Sequence, residues 1–223
     1  MHPKSRRSAE AIDAVVFDCD GTLVDSEKVS LSVLAQLVGE HGLALEAEEA
    51  IRRFSGQDLK LVFRDLEAEL GTTLPTDIIE VFRGRQIPQL KRSLEAIEGA
   101  DALLSGLRLP ACVASNAPQS KIRVCLETTG LIRHFDTHQI FSAYDIQRWK
   151  PDPALFQLAA RSLNVPPERC AVVEDSIFGI QAALAAGMQT FVLDPHDRFG
   201  EFDDQLVRVG SLVELRPFLS PDR

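Results

Sequence analysis

Two aspartates one residue apart, Asp18 and Asp20, follow an apolar run directly and precede Gly21-Thr22. Carboxylates so placed can divide a reaction between them. One attacks an electrophile, its neighbour handles the proton, and a divalent cation can hold both near a phosphate. An acidic surface turn is the plain structural alternative. A second acidic pair, Glu174-Asp175, follows Cys170-Ala171-Val172-Val173. Mg²⁺ favours a few carboxylate oxygens completed by water and substrate phosphate; Asp175 or Ser176 equally suits a helix N-cap. Ser115-Asn116 closes a third apolar run, with Pro118 suited to begin a helix. Hydroxyl, amide and unpaired helical N–H groups there fit phosphate, or simply cap the helix. Lys150 precedes Pro151, which restricts it to extended backbone. A lysine so constrained can hold its ammonium against a carboxylate and a phosphate oxygen, or lie solvated in a loop.

Asp18, Asp20, Glu174 and Asp175 together carry up to four negative charges before any phosphate arrives. Such a cluster requires a cation, a lysine and one carboxyl that holds a proton at times. Mg²⁺ and Lys150 supply the first two, and Asp20 is the candidate for the third, a general acid.

These groups need rigid elements behind them. Ala14-Val15-Val16-Phe17, Ala111 to Ser115, Cys170 to Glu174 and Thr190 to Asp194 read as short buried strands. Helical patterns lie between them, at Lys121 to Thr129, Pro153 to Leu163 and Ile177 to Ala186, the last ended by Gly187. Alternating strands and helices imply a parallel sheet with covered faces, and ligands bind at the carboxyl ends of its strands. Asp18, Ser115 and Glu174-Asp175 all fall there. From about Ser26 to Leu94 the spacing is helical throughout. One stripe is Leu31, Leu34, Leu37 and Val38, another Leu59, Val62, Phe63, Leu66 and Leu70, and a third Ile78, Ile79, Phe82 and Ile87. This block interrupts the alternation and reads as an insertion.

The chain has 223 residues, 45% of them hydrophobic, which suffices for one large domain or two small ones. Its net charge of −9 argues against nucleic acid or an anionic membrane as partner. Cys19, Cys112, Cys125 and Cys170 form no CxxC pair and read as buried free thiols of a reducing compartment. Residues 1–11 form a polar, basic lead-in with no apolar stretch after it. The expectation is a cytoplasmic protein, a monomer or weak homo-oligomer, acting on a small phosphorylated metabolite. His134 and His138 lie four apart with no third ligand evident, which argues against zinc.

With these motifs assembled, the chain resembles the haloacid dehalogenase-like hydrolases, in their β-phosphoglucomutase-like branch with a helical cap. The matching segments are Asp18-Cys19-Asp20-Gly21-Thr22, Ser115-Asn116, Lys150-Pro151 and Glu174-Asp175-Ser176, in the family's order. The resemblance implies a Rossmann-like α/β core over 1–25 and 95–223 and an inserted α-helical cap over 26–94. It implies that Asp18 is a nucleophile forming an aspartyl-phosphate, and that Asp20 protonates the leaving alcohol and later activates water. Mg²⁺ would lie on the Asp18 carboxylate, the Asp20 carbonyl and Asp175, with Glu174 beside it as a ligand or one layer out. Ser115, Asn116 and Lys150 would hold phosphate, and Lys150 would also orient Asp18.

Segments 93–99 and 141–150 are further similar to the bacterial 6-phosphogluconate phosphatases. A sugar-acid phosphate needs a basic group beyond those for phosphate, and Arg52, Arg53, Lys60 and Arg64 near Ser55-Gly56 are candidates. The mutases of this branch commonly carry histidine where this chain has Ser30, which favours hydrolysis. A dehalogenase would not call for Asp20 or the metal carboxylates. A phospho-aspartate signalling module gathers similar groups in a different order and has no helical insert.

Overall fold

The computed structural model describes residues 11–54, 57, 59–202 and 205–219. Most of the basic lead-in, and Ser55-Gly56, lie outside the described residues. In chain order the elements are β1 (Ala14–Phe17), α1 (Ser26–Glu40), α2 (Ala47–Phe54), α3 (Leu59–Leu70), α4 (Ile78–Ser93), α5 (Ala100–Gly106) and β2 (Ala111–Ser115). There follow α6 (Gln119–Thr128), β3 (Ile140–Ser142), α7 (Ala143–Ile146), α8 (Ala154–Ser162), β4 (Cys170–Glu174), α9 (Ile177–Ala185), β5 (Gln189–Leu193), β6 (Val207–Val209) and α10 (Arg216–Leu219).

The strands form one parallel sheet in the order β3-β2-β1-β4-β5-β6. The core is therefore α/β with a parallel sheet, as the alternation implied. β1, β2 and β4 are apolar on both faces up to their last residues because each face is covered. On one face, alternate residues of β1, β2 and β4 (Val16, Ala114 and Val172 among them) bury against Leu155, Phe156 and Ala159 of α8 and Ala182 and Ala183 of α9. The small side chains of α9 let that helix lie close to the strands. β3 and β6 were not expected. Each has three residues and stands at a sheet edge, too short for period-two patterning to register.

Connections to β2 on one side of β1 and to β4 on the other make this the point where strand order reverses. A crevice at the carboxyl ends is the usual ligand site at such a point. By contacts the chain divides into two units. The first takes the described parts of Met1–Leu23, Ile97–Ile122 and Arg133–Arg223; the second takes Val24–Ala96 and Arg123–Ile132. In the second, α1 to α4 bury Leu34, Leu37, Phe54, Val62, Phe63, Leu66 and Phe82 together, and Val24 bridges Ala96 where the segment begins and ends. No helix among the described residues is long and apolar enough to cross a membrane. All four cysteines are free and buried, and burial pushes the Cys170 thiol up to about 11, so it stays protonated near neutrality.

Candidate active site

The β1–β4 ladder runs one residue past the strand, for the Asp18 N–H donates to the Val173 carbonyl at 2.9 Å. That bond sets Asp18 at the sheet's carboxyl edge beside Glu174, the last residue of β4. Lys150 lies between them. Its Nζ donates to Asp18 Oδ1 at 2.5 Å and to Glu174 Oε1 at 2.7 Å, all three groups buried. Burial disfavours the ammonium, but Asp18 and Glu174 outweigh it and raise the Lys150 pKa above the usual lysine value. Burial, reinforced by Glu174 and Asp20 and opposed by Lys150, pushes the Asp18 carboxyl up to about 7. Asp18 is thus driven toward neutrality chiefly by its burial, with the neighbouring carboxylates adding to it.

Glu174 is saturated. Its Oε2 accepts from the Asp175 N–H, the Ser176 N–H and the Ser176 hydroxyl, each at 2.9 Å, while Oε1 holds Lys150. Asp175 is oriented separately, since the Thr22 hydroxyl donates to its Oδ1 at 2.9 Å. Gly21 makes room for this carboxylate: a Cβ there would lie 2.2 Å from Asp175 Oδ2, and its φ of +86° is one that side chains disfavour. One ligand oxygen each from Asp18, Glu174 and Asp175 falls within 4.8 Å of the others.

Asn116 differs from expectation. Its amide oxygen accepts from the Lys150 N–H at 2.9 Å, and its amide nitrogen donates to the Lys150 carbonyl at 3.3 Å. The side chain assigned to phosphate instead fixes the lysine backbone from both sides. Ser115 is buried, and its oxygen accepts from the Ala117 N–H at 3.1 Å, so its own proton is what a ligand can receive. Asp20 lies beyond Cys19, just before the turn at 21–23, and its Oδ1 accepts from Lys121 Nζ at 2.8 Å.

Sequence pattern singles out neither Lys121, Arg198 nor Asp194, and Thr22 enters only as part of the first matching segment. Lys121 adds a second ammonium. Thr22 and Arg198 both hold Asp175, Arg198 through its Nη2 to the Asp175 carbonyl at 3.1 Å. Asp194, at the end of β5, organises that arginine's loop by accepting from the Arg198 and Phe199 N–H groups. Burial works against the Asp194 anion, yet these donors and the Arg198 side chain hold its pKa below the usual aspartate value. A polar residue after a fourth apolar strand was the available signal. In the second unit, Arg53 is committed to Glu49 and Glu69 and lies over the Phe54 ring, while Arg64 pairs with Asp65.

Residues 12–187 match the family described as haloacid dehalogenase-like hydrolase. The 6-phosphogluconate phosphatase of Escherichia coli (strain K12) is 43% identical over 190 residues, covering 84% of this chain and 86% of the relative. The validoxylamine A 7'-phosphate phosphatase of Streptomyces hygroscopicus subsp. limoneus is 32% identical, over 78% of this chain and 81% of that one. Among solved structures, a HAD family hydrolase from Deinococcus radiodurans R1 with bound phosphate and sodium superposes with a TM-score of 0.76 at 31% identity, covering 95% and 99% of the two chains.

Proposed function

Starting from the fact that this chain belongs to the haloacid dehalogenase-like hydrolases and is a phosphatase, we propose that it hydrolyses a sugar or sugar-acid phosphate, 6-phosphogluconate foremost, through an aspartyl-phosphate on Asp18. The observation that carries the chemistry is the Lys150 ammonium seated between Asp18 and Glu174 at the ends of adjoining strands. Lys150 holds Asp18 by one carboxylate oxygen, which leaves the other to attack phosphorus. The same ammonium and the Ser115 hydroxyl receive phosphate oxygens as charge develops on them. Glu174 and Asn116 locate the lysine by its two ends, side chain and backbone. Asp20 gives its proton to the departing alcohol, then takes one from the water that cleaves the acyl-phosphate.

Asp18, Asp175 and the Asp20 carbonyl suit a hard divalent cation. The fit rests on the grouping of carboxylate oxygens from Asp18, Glu174 and Asp175. Glu174, with both oxygens engaged, stands one layer out. Bound Mg²⁺ would neutralise charge on the phosphate. Thr22→Val removes the donor that orients Asp175 and is expected to weaken Mg²⁺ binding by ~10–100-fold. Calorimetry on metal-stripped protein reads this directly; an unchanged affinity would show that Thr22 orients no ligand.

Two features support hydrolysis of an acid-bearing ester over phosphate transfer. The relative at 43% identity is named for 6-phosphogluconate. Ser30 is occupied within the second unit, donating to the Ser26 carbonyl and accepting from Gln86, both at 2.6 Å. On this reading the inserted helical segment is a cap that selects the leaving group.

Phosphate release with Mg²⁺ tests the assignment. Release from 6-phosphogluconate should clearly exceed that from glucose 6-phosphate. Turnover of other phosphate esters but not this one would overturn the substrate and keep the reaction. Interconversion of sugar phosphates without release of phosphate would point to a mutase.

A further inference from the structure

Lys121 stands in the first turn of α6, just beyond the strand end that carries Ser115. Its N–H donates to the Pro118 carbonyl at 2.9 Å, which fixes the backbone, and its ammonium crosses to Asp20 Oδ1 at 2.8 Å. The side chains of lysine and aspartate are 17% and 23% exposed, so the pair is partly withdrawn from water and less screened than a surface ion pair. None of the four segments that carry the family resemblance includes this lysine.

We propose that Lys121 is a positioning residue that aims Asp20 at the leaving-group oxygen; the inference rests on the reading of Asp20 as the proton donor. Asp20 lies between β1 and α1, just before the turn at 21–23, and a carboxyl there has rotamers to lose. Holding Oδ1 fixes the carboxyl plane before substrate arrives and directs Oδ2, the oxygen through which the proton passes to the leaving group. In the step itself, a bond forms between the second Asp18 oxygen and phosphorus. The ester P–O bond breaks with its electron pair on the alcohol oxygen. That oxygen takes the proton from Asp20 Oδ2, and Oδ1 keeps its hydrogen bond from Lys121 throughout. The second ammonium also lowers the negative charge that an incoming phosphate meets at the four carboxylates.

The test is kcat/KM across phosphate monoesters graded from alkyl alcohols to p-nitrophenol, for the parent, Lys121→Gln, Lys121→Arg and Asp20→Asn. This parameter ends at departure of the alcohol, so later hydrolysis of the acyl-phosphate does not enter it. Lys121→Gln should cost ~10–100-fold with alkyl esters and several-fold less with p-nitrophenyl phosphate, whose leaving group needs little protonation. Lys121→Arg should restore most of the loss. A loss uniform across the series, or none at all, overturns the proposal. So does a loss that follows a carboxylate on the substrate rather than leaving-group basicity, which would make Lys121 a substrate-binding residue. If Asp20→Asn itself lacks leaving-group selectivity, the reading of Asp20 fails. If Asp20→Asn is selective and Lys121→Gln is not, only the role of Lys121 fails.

Discussion

Asp18→Asn should abolish phosphate release, by on the order of 10⁴-fold or more, while making the metal-free protein more stable above neutral pH. The amide has the size and shape of the carboxylate, and its oxygen can still accept from Lys150, so the site keeps its geometry. What it loses is the nucleophile. The stability half follows from the raised pKa. Burial holds the Asp18 carboxyl at about 7 in the folded chain, against 3.8 as its ordinary value. A carboxyl whose folded pKa is raised binds its proton more tightly in the native state, so its contribution to stability declines as pH rises from about 4 to about 7. Asparagine carries no such charge. In chelator, denaturant unfolding should show the variant gaining on the parent across that window and keeping its lead above pH 7. Activity retained within tenfold would remove Asp18 from the nucleophile's role. A parent more stable than the variant at pH 8 would show that the anion is a net structural asset.

Much of this site could be read from the chain because a parallel sheet writes its ligand edge as a repeated pattern, an apolar run that ends in a polar residue. Asp18, Ser115 and Glu174-Asp175 were visible for that reason, and Lys150 because Pro151 fixes the backbone beside it. The unread parts depend on which strands become neighbours. Lys121 and Asp20 are 101 residues apart and meet only because β1 and β2 are adjacent, which no local pattern encodes. Asn116 illustrates a second limit. A polar side chain at a strand end marks a ligand edge, but an amide serves a phosphate or a backbone equally well, and here it grips both backbone groups of Lys150. β3 and β6 stayed hidden because a three-residue edge strand such as Val207-Arg208-Val209 has no periodicity to detect.

Gly179→Ala should be among the most damaging single-methyl additions available to this chain, although the glycine lies in a helix, where alanine is ordinarily favoured. A Cβ on Gly179 would lie 1.8 Å from Glu174 Cδ and Oε1 and 2.4 Å from Oε2. Glu174 cannot yield cheaply, since it is fully buried and bonded to Lys150, Asp175 and Ser176. The helix start is equally tied, because the Gly179 N–H donates to the N-cap hydroxyl of Ser176 at 3.1 Å. Either the first turn of α9 opens or the carboxylate leaves Lys150 buried with one anion fewer. Breaking a buried pair costs about 3–5 kcal/mol, on the order of 10 °C in melting temperature for a chain of this size. Activity should fall at least ~100-fold as the lysine shifts. Gly84→Ala in α4 is the control, with open space around the added methyl and an expected gain of up to ~1 kcal/mol. Adding Glu174→Ala to Gly179→Ala separates crowding from function. If the clash is the cause, Gly179→Ala should cost little further stability in a Glu174→Ala background, where the carboxylate it crowds is gone, and both backgrounds should be inactive because Lys150 lacks its second anion. A full further loss from Gly179→Ala in the Glu174→Ala background would place the damage in the helix turn instead.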